Sequence, residues 1–280
     1  MLFTISIITV LQAILHYQFM QHAFEAGTVV AIVAGIMGYL VVLRRSSFAA
    51  HAFAEIGFAG AAGAVLVGAS PVIGLLLFST LSGVGIAVLG NRASHRDVEI
   101  GTILAFMLGL GVLFISLYTG YATEAYSILF GEILGISSGD VILTLAVSAV
   151  IVAAAAVVYR PLLFASLDEE VAEAKGMHTL LLGIVFMILL AASVSIAVQV
   201  VGVLLIFALM VTPAAIAIRL TTKPVYAVTI SIIIALFATW SGLLISFYEP
   251  YPVSFFITSI VFILYLLVRF VHPAISNLRR

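Results

Sequence analysis

Apolar residues run along this chain in long blocks, broken only by short clusters of charge, proline or glycine. The blocks cover about residues 22–43, 48–69, 71–90, 100–119, 140–158, 179–198, 200–219, 225–247 and 253–270. Each approaches the roughly 20 residues that a helix needs to cross the hydrocarbon core of a bilayer. The pattern predicts an all-α, polytopic transmembrane helical bundle of about nine spans, forming one membrane domain over residues 1–280. Residues 1–15 are apolar too but short for a span, so they read as an interfacial helix or a tenth crossing. They carry neither a basic n-region nor a small-residue cleavage site, so a removed signal peptide is not expected. Ser70-Pro71 and Gln199-Val200 leave almost no chain between neighbouring blocks, which forces antiparallel helical hairpins.

Composition narrows the class. The 280 residues are 64% hydrophobic and only 8% charged, against about 25% charged in a soluble domain. The net charge of −1 and the lack of any basic stripe argue against a nucleic-acid partner. With no cysteine, thiolate metal sites and iron–sulfur clusters are excluded. Orientation follows from the cations. With Arg44 and Arg45 in the cytoplasm, alternation puts Arg92, Arg96, Arg160, Lys175, Arg219, Lys223, Arg269, Arg279 and Arg280 there as well, and the C-terminus with them. These are all eleven Lys and Arg of the chain, as the positive-inside rule requires. The opposite loops, about 119–138 and 248–252, hold Glu124, Glu132 and Glu249 and no cation.

Two ionisable residues break the second block. His51 and Glu55 are four apart, so on a helix they share a face. A charged residue at membrane depth costs roughly 2.5–3.5 kcal/mol on insertion scales, and such residues usually line a pathway or a site. One nitrogen and one oxygen at this spacing suit a divalent transition metal; the plainer reading is a His–Glu hydrogen bond that glues two helices. Gly57, Gly60 and Gly63, interleaved with Ala59, Ala61, Ala62 and Ala64, follow directly. Small residues let helix backbones approach closely in lipid, so this span is expected to pack deep, with His51 and Glu55 buried mid-bundle against protein or a cavity. Thr212-Pro213 predicts a kink in the seventh span.

The largest polar stretch is about 159–178. Ser166 followed by Glu169 is a capping-box pattern, acidic residues crowd the first turn, Lys175 lies in the last, and Gly176 stops it. The segment reads as a short cytoplasmic helix joining two spans, suited to docking a cytosolic partner; an ordinary solvated loop is the alternative. Elsewhere, Asp140 reads as a charge at a helix N-terminus. His16 and His22 read as interfacial anchors, and Glu124, Glu132 and Glu249 as solvated loop carboxylates. His95, His178 and His272 fall in cytoplasmic segments, and Gln199 has no assignment.

Taken in order, Phe19-Met20-Gln21-His22-Ala23 with Val41-Val42-Leu43-Arg44-Arg45, Leu129-Phe130-Gly131-Glu132-Ile133-Leu134, Asp168…Ala172…Gly176, and Val200-Val201-Gly202-Val203-Leu204-Leu205 with Pro213-Ala214-Ala215 resemble motifs of one family. It is that of the permease subunits of ATP-binding-cassette (ABC) importers for zinc, manganese and iron. The family keeps an acidic residue and a histidine four apart in the second span to handle the metal. The matching positions here hold His51 and Glu55, in the reverse order, which leaves the choice among the three metals open. The resemblance implies ATPase coupling through Ser166, Asp168, Glu169, Ala172 and Gly176. It implies no resident cofactor in this chain, only a transported divalent ion. It further implies a separate cytosolic ATP-binding subunit, a second permease copy giving a homodimer, an extracytoplasmic metal-binding protein and a place in the bacterial cytoplasmic (inner) membrane. The chain has no Gly-x-x-x-x-Gly-Lys-Ser/Thr phosphate loop, so ATP hydrolysis is expected on the partner. Three other readings compete: a permease for a metal chelate such as a siderophore, a secondary transporter driven by an ion gradient, and an intramembrane metalloenzyme. The last lacks His-Glu-x-x-His and a third membrane-embedded histidine.

Overall fold

A computed structural model describes residues 16–89, 96–117, 131 and 133–278 as a bundle of helices. In chain order these are α1 (Gln18–Leu43), α2 (Ser47–Leu66), α3 (Pro71–Leu89), α4 (Arg96–Leu117), α5 (Ser138–Leu167), α6 (Glu169–Ala174), α7 (Thr179–Val201), α8 (Val203–Leu220), α9 (Pro224–Tyr248) and α10 (Val253–Leu278). Among the described residues, nine helices are long and apolar enough to cross a membrane, and no strand occurs. Each predicted apolar block coincides with one of the nine. Residues 1–15, with Arg92, His95, Glu124, Leu129, Phe130, Glu132, Arg279 and Arg280, lie outside the described residues.

The bundle is layered by burial. α1, α2 and α7 form its middle, whereas α4 and α10 lie at its rim. α1 packs on α5, α7, α8 and α9, and α2 packs on α3, α4, α7 and α8. Small residues set the helix spacing. A Cβ on Gly38 would stand 2.0 Å from the Met210 carbonyl oxygen of α8. One on Gly60 would stand 2.2 Å from the Gly74 oxygen of α3, and one on Gly74 2.0 Å from that of Gly60. In lipid, where no hydrophobic force drives helices together, such backbone proximity supplies the dispersion contact that holds them. The expected deep packing of the second span is therefore observed.

Two boundaries differ from the sequence expectation. The fifth span does not end near residue 158. α5 runs 30 residues to Leu167 with Pro161 inside it, because Leu162 and Ala165 beyond the proline are buried against the bundle and their packing outweighs one lost backbone bond. Only the end of the 159–178 segment is thus a separate connector. The sixth span continues through Gln199 and Val200 and turns at Gly202, where φ is +82°, a left-handed conformation glycine adopts without penalty. α8 spans Val203–Leu220 with Pro213 inside it.

Candidate functional site on the second span

α2 brings His51 and Glu55 together. His51 Nε2 lies 3.2 Å from Glu55 Oε1, and the two side chains are 43% and 28% exposed. That exposure corrects the expectation of a pair buried mid-bundle. The reason lies in the helical register. Gly57, Gly60 and Gly63 face α3 and α4, while Phe48, His51, Glu55 and Phe58 project from the opposite side of the same helix. Phe48 is exposed and Phe58 partly so, so this face is open from Phe48 to Phe58, before Ala62 is buried again.

The environment of the pair is one-sided. The Phe207 ring of α8 meets the His51 imidazole edge-on, with centroids 5.4 Å apart. His51 Nδ1 is buried and has no hydrogen-bond partner among the described residues. Nε2 is then the nitrogen available to a guest, and Glu55 presents its carboxylate beside it. A metal-binding histidine usually donates its second N–H to a carboxylate or carbonyl, and losing that support weakens binding by roughly 10–100-fold. The His51 imidazole thus stands beside one carboxylate without a second partner on its other nitrogen among the described residues. Among the described residues no group of three or more His, Cys, Asp or Glu could hold a metal, so a single copy offers at most two donors from this pair.

The residues expected to couple to an ATPase gather at one end of the bundle. Ser166 is not the cap of the short helix. It belongs to α5, where its hydroxyl donates to the Leu162 carbonyl and accepts from Arg44 Nη1 at 3.0 Å. Asp168 is the cap: its backbone is extended (φ −152°, ψ 99°) and its carboxylate accepts from the Val171 N–H. A cap residue must leave helical geometry, which Asp168 does and Ser166, inside α5, does not. Glu169, Glu170 and Glu173 are exposed on α6, and Ala172 is buried beneath them. Gly176 ends the turn with φ +79° and open space around it.

At the opposite end, Asp140 forms a full capping box with Ser137, as its reading at a helix N-terminus anticipated. Its second oxygen accepts from Gln199 Nε2 at 2.9 Å, which gives the unassigned glutamine a role: it ties α7 to α5. His22 is more than an anchor, since its Nδ1 donates to the Ile136 carbonyl at 3.1 Å. His16 is exposed, and His178 is the residue preceding α7. Sequence reasoning missed Phe207 and the inward turn of Arg44. Neither carried a local signal, because their partners are remote in the chain.

Nine helices apolar enough to span a membrane, among the described residues, make this chain a multi-pass membrane protein. The profile of the ABC 3 transport family matches residues 16–272, and the chain belongs to that family. It is 31% identical over 214 residues to the manganese transport system membrane protein MntC of Listeria monocytogenes, covering 76% of each chain. It is 30% identical over 200 residues to the manganese import system permease protein ScaB of Streptococcus parasanguinis, covering 71% of each. Among solved structures it is similar to PsaBC from Streptococcus pneumoniae in complex with Fab. There the TM-score is 0.83 and the identity 29%, covering 94% of this chain and 95% of that one.

Proposed function

We propose that this chain is the membrane permease of an ATP-driven importer that carries a divalent transition metal into the cytoplasm, with manganese the first candidate. The observation that carries this reading is the half-open His51–Glu55 pair on a membrane span. The manganese proteins among its relatives direct the choice of cargo. A dication sheds part of its water only where oxygen and nitrogen donors replace it, and transition metals accept both imidazole and carboxylate. Two donors fall short of a full coordination shell. A second copy of this permease, set with its own α2 face opposite, would complete a site of two imidazoles and two carboxylates between the copies.

The remaining parts follow from the same reading. A cytosolic ATPase docks on α6, whose acidic exposed face offers charge complementarity to a basic groove. An extracytoplasmic metal-binding protein delivers the ion at the end of the bundle that holds Asp140 and Gln199. The protein lies in the bacterial cytoplasmic membrane with its C-terminus in the cytoplasm, the orientation the cations demand. ATP-driven movement of α6 alternates access to the His51–Glu55 face.

Uptake of radioactive manganese tests the proposal in cells that depend on this transporter, with zinc and ferrous ions as competitors. His51→Ala and Glu55→Gln should each lower uptake by more than about tenfold, the low end of the usual cost of losing an outer-shell partner alone. Both should leave the amount of assembled complex unchanged. Normal uptake in both variants would remove the ligand role. Stronger competition by zinc than by manganese itself would reassign the cargo.

A further inference from the structure

We propose that Arg44 is a positioning residue of the transport cycle, linking the coupling end of α5 to the turn from which the His51 helix starts. The proposal rests on the reading above, in which an ATPase drives this permease through α6.

Arg44 closes α1 and is followed by Arg45, whose φ of +53° makes it the one non-glycine residue with positive φ among those described. Such a conformation persists only where its surroundings impose it. The two arginines diverge. Arg45 is exposed, the usual place for a cation at a membrane edge. Arg44 turns inward and sets its guanidinium 4.9 Å from the centroid of the Phe186 ring on α7, a fully buried side chain. From there Nη1 donates to Ser166 Oγ at 3.0 Å, across 122 residues of sequence. Ser166 stands two residues before Asp168, the cap of α6.

The other side of Arg44 is tied to α2. Its carbonyl accepts from Ser46 Oγ at 3.2 Å. Ser46 is itself buried, and its own carbonyl accepts from Ala50 N–H to begin the helix. His51 is the next residue. A rigid path therefore leads from the α6 cap through Ser166 and Arg44 to Ser46, the first turn of α2 and His51. Its steps are hydrogen bonds of 3.0–3.2 Å, the chain itself or a turn of helix. A planar guanidinium suits this place, because it stacks on an aromatic face and donates in its own plane at once, which an ammonium cannot do.

The test uses the permease purified with its ATPase and reconstituted in proteoliposomes, with manganese uptake and ATP hydrolysis measured on the same sample. In Arg44→Gln the ions moved per ATP should fall by at least about fivefold, the low end of the 5–150-fold range for coupling between sites. Arg44→Lys should recover little of the loss. Ser166→Ala keeps the guanidinium on Phe186 and should lower the same ratio by a smaller factor, and Ser166→Thr, which restores the hydroxyl, should return it. A merely structural role would reduce the yield of complex but leave uptake per ATP unchanged in what survives; that result overturns the proposal. If instead the unmutated complex shows no ATP-dependent uptake, the ATPase-driven reading itself fails, and this link fails with it. An Arg44→Gln variant that does not assemble leaves Ser166→Ala to decide: an unchanged ratio there also overturns the link.

Discussion

The two faces of α2 are built to opposite demands. On one, Gly57, Gly60 and Gly63 press the helix so close to its neighbours that a single added carbon would strike side-chain or backbone atoms within 3.0 Å. On the other, half a turn away, His51 and Glu55 stand partly open, and His51 Nδ1 is left without a partner among the described residues. The contrast shows how a membrane protein can hold a weak site in a fixed place. The glycine face supplies rigidity through dispersion contact, which asks nothing of the polar face. The polar face can then remain undersatisfied without endangering the fold.

The strongest way to break this division is to fill the glycine face. Gly60→Val would put a side chain 2.2 Å from the Gly74 carbonyl oxygen, which is backbone and cannot swing aside. The loss should exceed the usual overpacking cost of about 1–3 kcal/mol, and little folded protein should survive size-exclusion chromatography in detergent. Gly63→Ala is the matched control. Its new carbon meets only the Phe114 ring edge at 2.9 Å, and a ring can give way. That variant should fold, with a lowered melting temperature. Equal damage from both would show that the glycine contact with α3 has no special standing.

A smaller effect is expected on the polar face itself. Phe207 is the described aromatic neighbour of His51, and an aromatic pair contributes about 0.5–1.5 kcal/mol beyond its buried area. Phe207→Ala should free the imidazole and raise the half-saturating manganese concentration several-fold while the melting temperature moves little. Phe207→Leu separates ring from bulk: if it matches the unmutated protein, the edge contact does not position His51.

Much of this was legible in the sequence for a physical reason. A span must be apolar for about 20 residues wherever it sits in the bundle, so nine spans could be read without knowing their neighbours. The His51–Glu55 pair was legible likewise, because its geometry is local to one helix. What could not be read depends on tertiary placement. The openness of the pair arises from which face of α2 the glycines claim. Ser166 satisfied a local capping pattern, yet Arg44 and the Leu162 carbonyl engage its hydroxyl, and the cap passes to Asp168. The fifth span was read as ending near residue 158, but α5 continues through Pro161 to Leu167, with Leu162 and Ala165 buried beyond the proline. Gly202, whose positive φ makes the true turn between α7 and α8, was the one signal available in the sequence and not used.

The smallest expected effect lies at the end of the bundle away from α6, and it tests whether that end belongs to the rigid or the yielding part. Asp140 caps α5 through Ser137 and accepts from Gln199 on α7. Ser137 remains the cap in both variants, and a hydrogen bond to a charged group contributes roughly 1.5–3 kcal/mol, reduced here because Asp140 is partly exposed. Gln199→Ala should therefore lower the melting temperature slightly, and Asp140→Ala somewhat more, since it loses both contacts. Neither residue is seen to touch His51 or Glu55, so the half-saturating manganese concentration should stay within twofold of the unmutated value, less than the ~1.4 kcal/mol that a tenfold change requires. A large change in that concentration with an unchanged melting temperature would mean that the Asp140–Gln199 tie moves during transport. The yielding region would then reach from the His51 face to this end of the bundle.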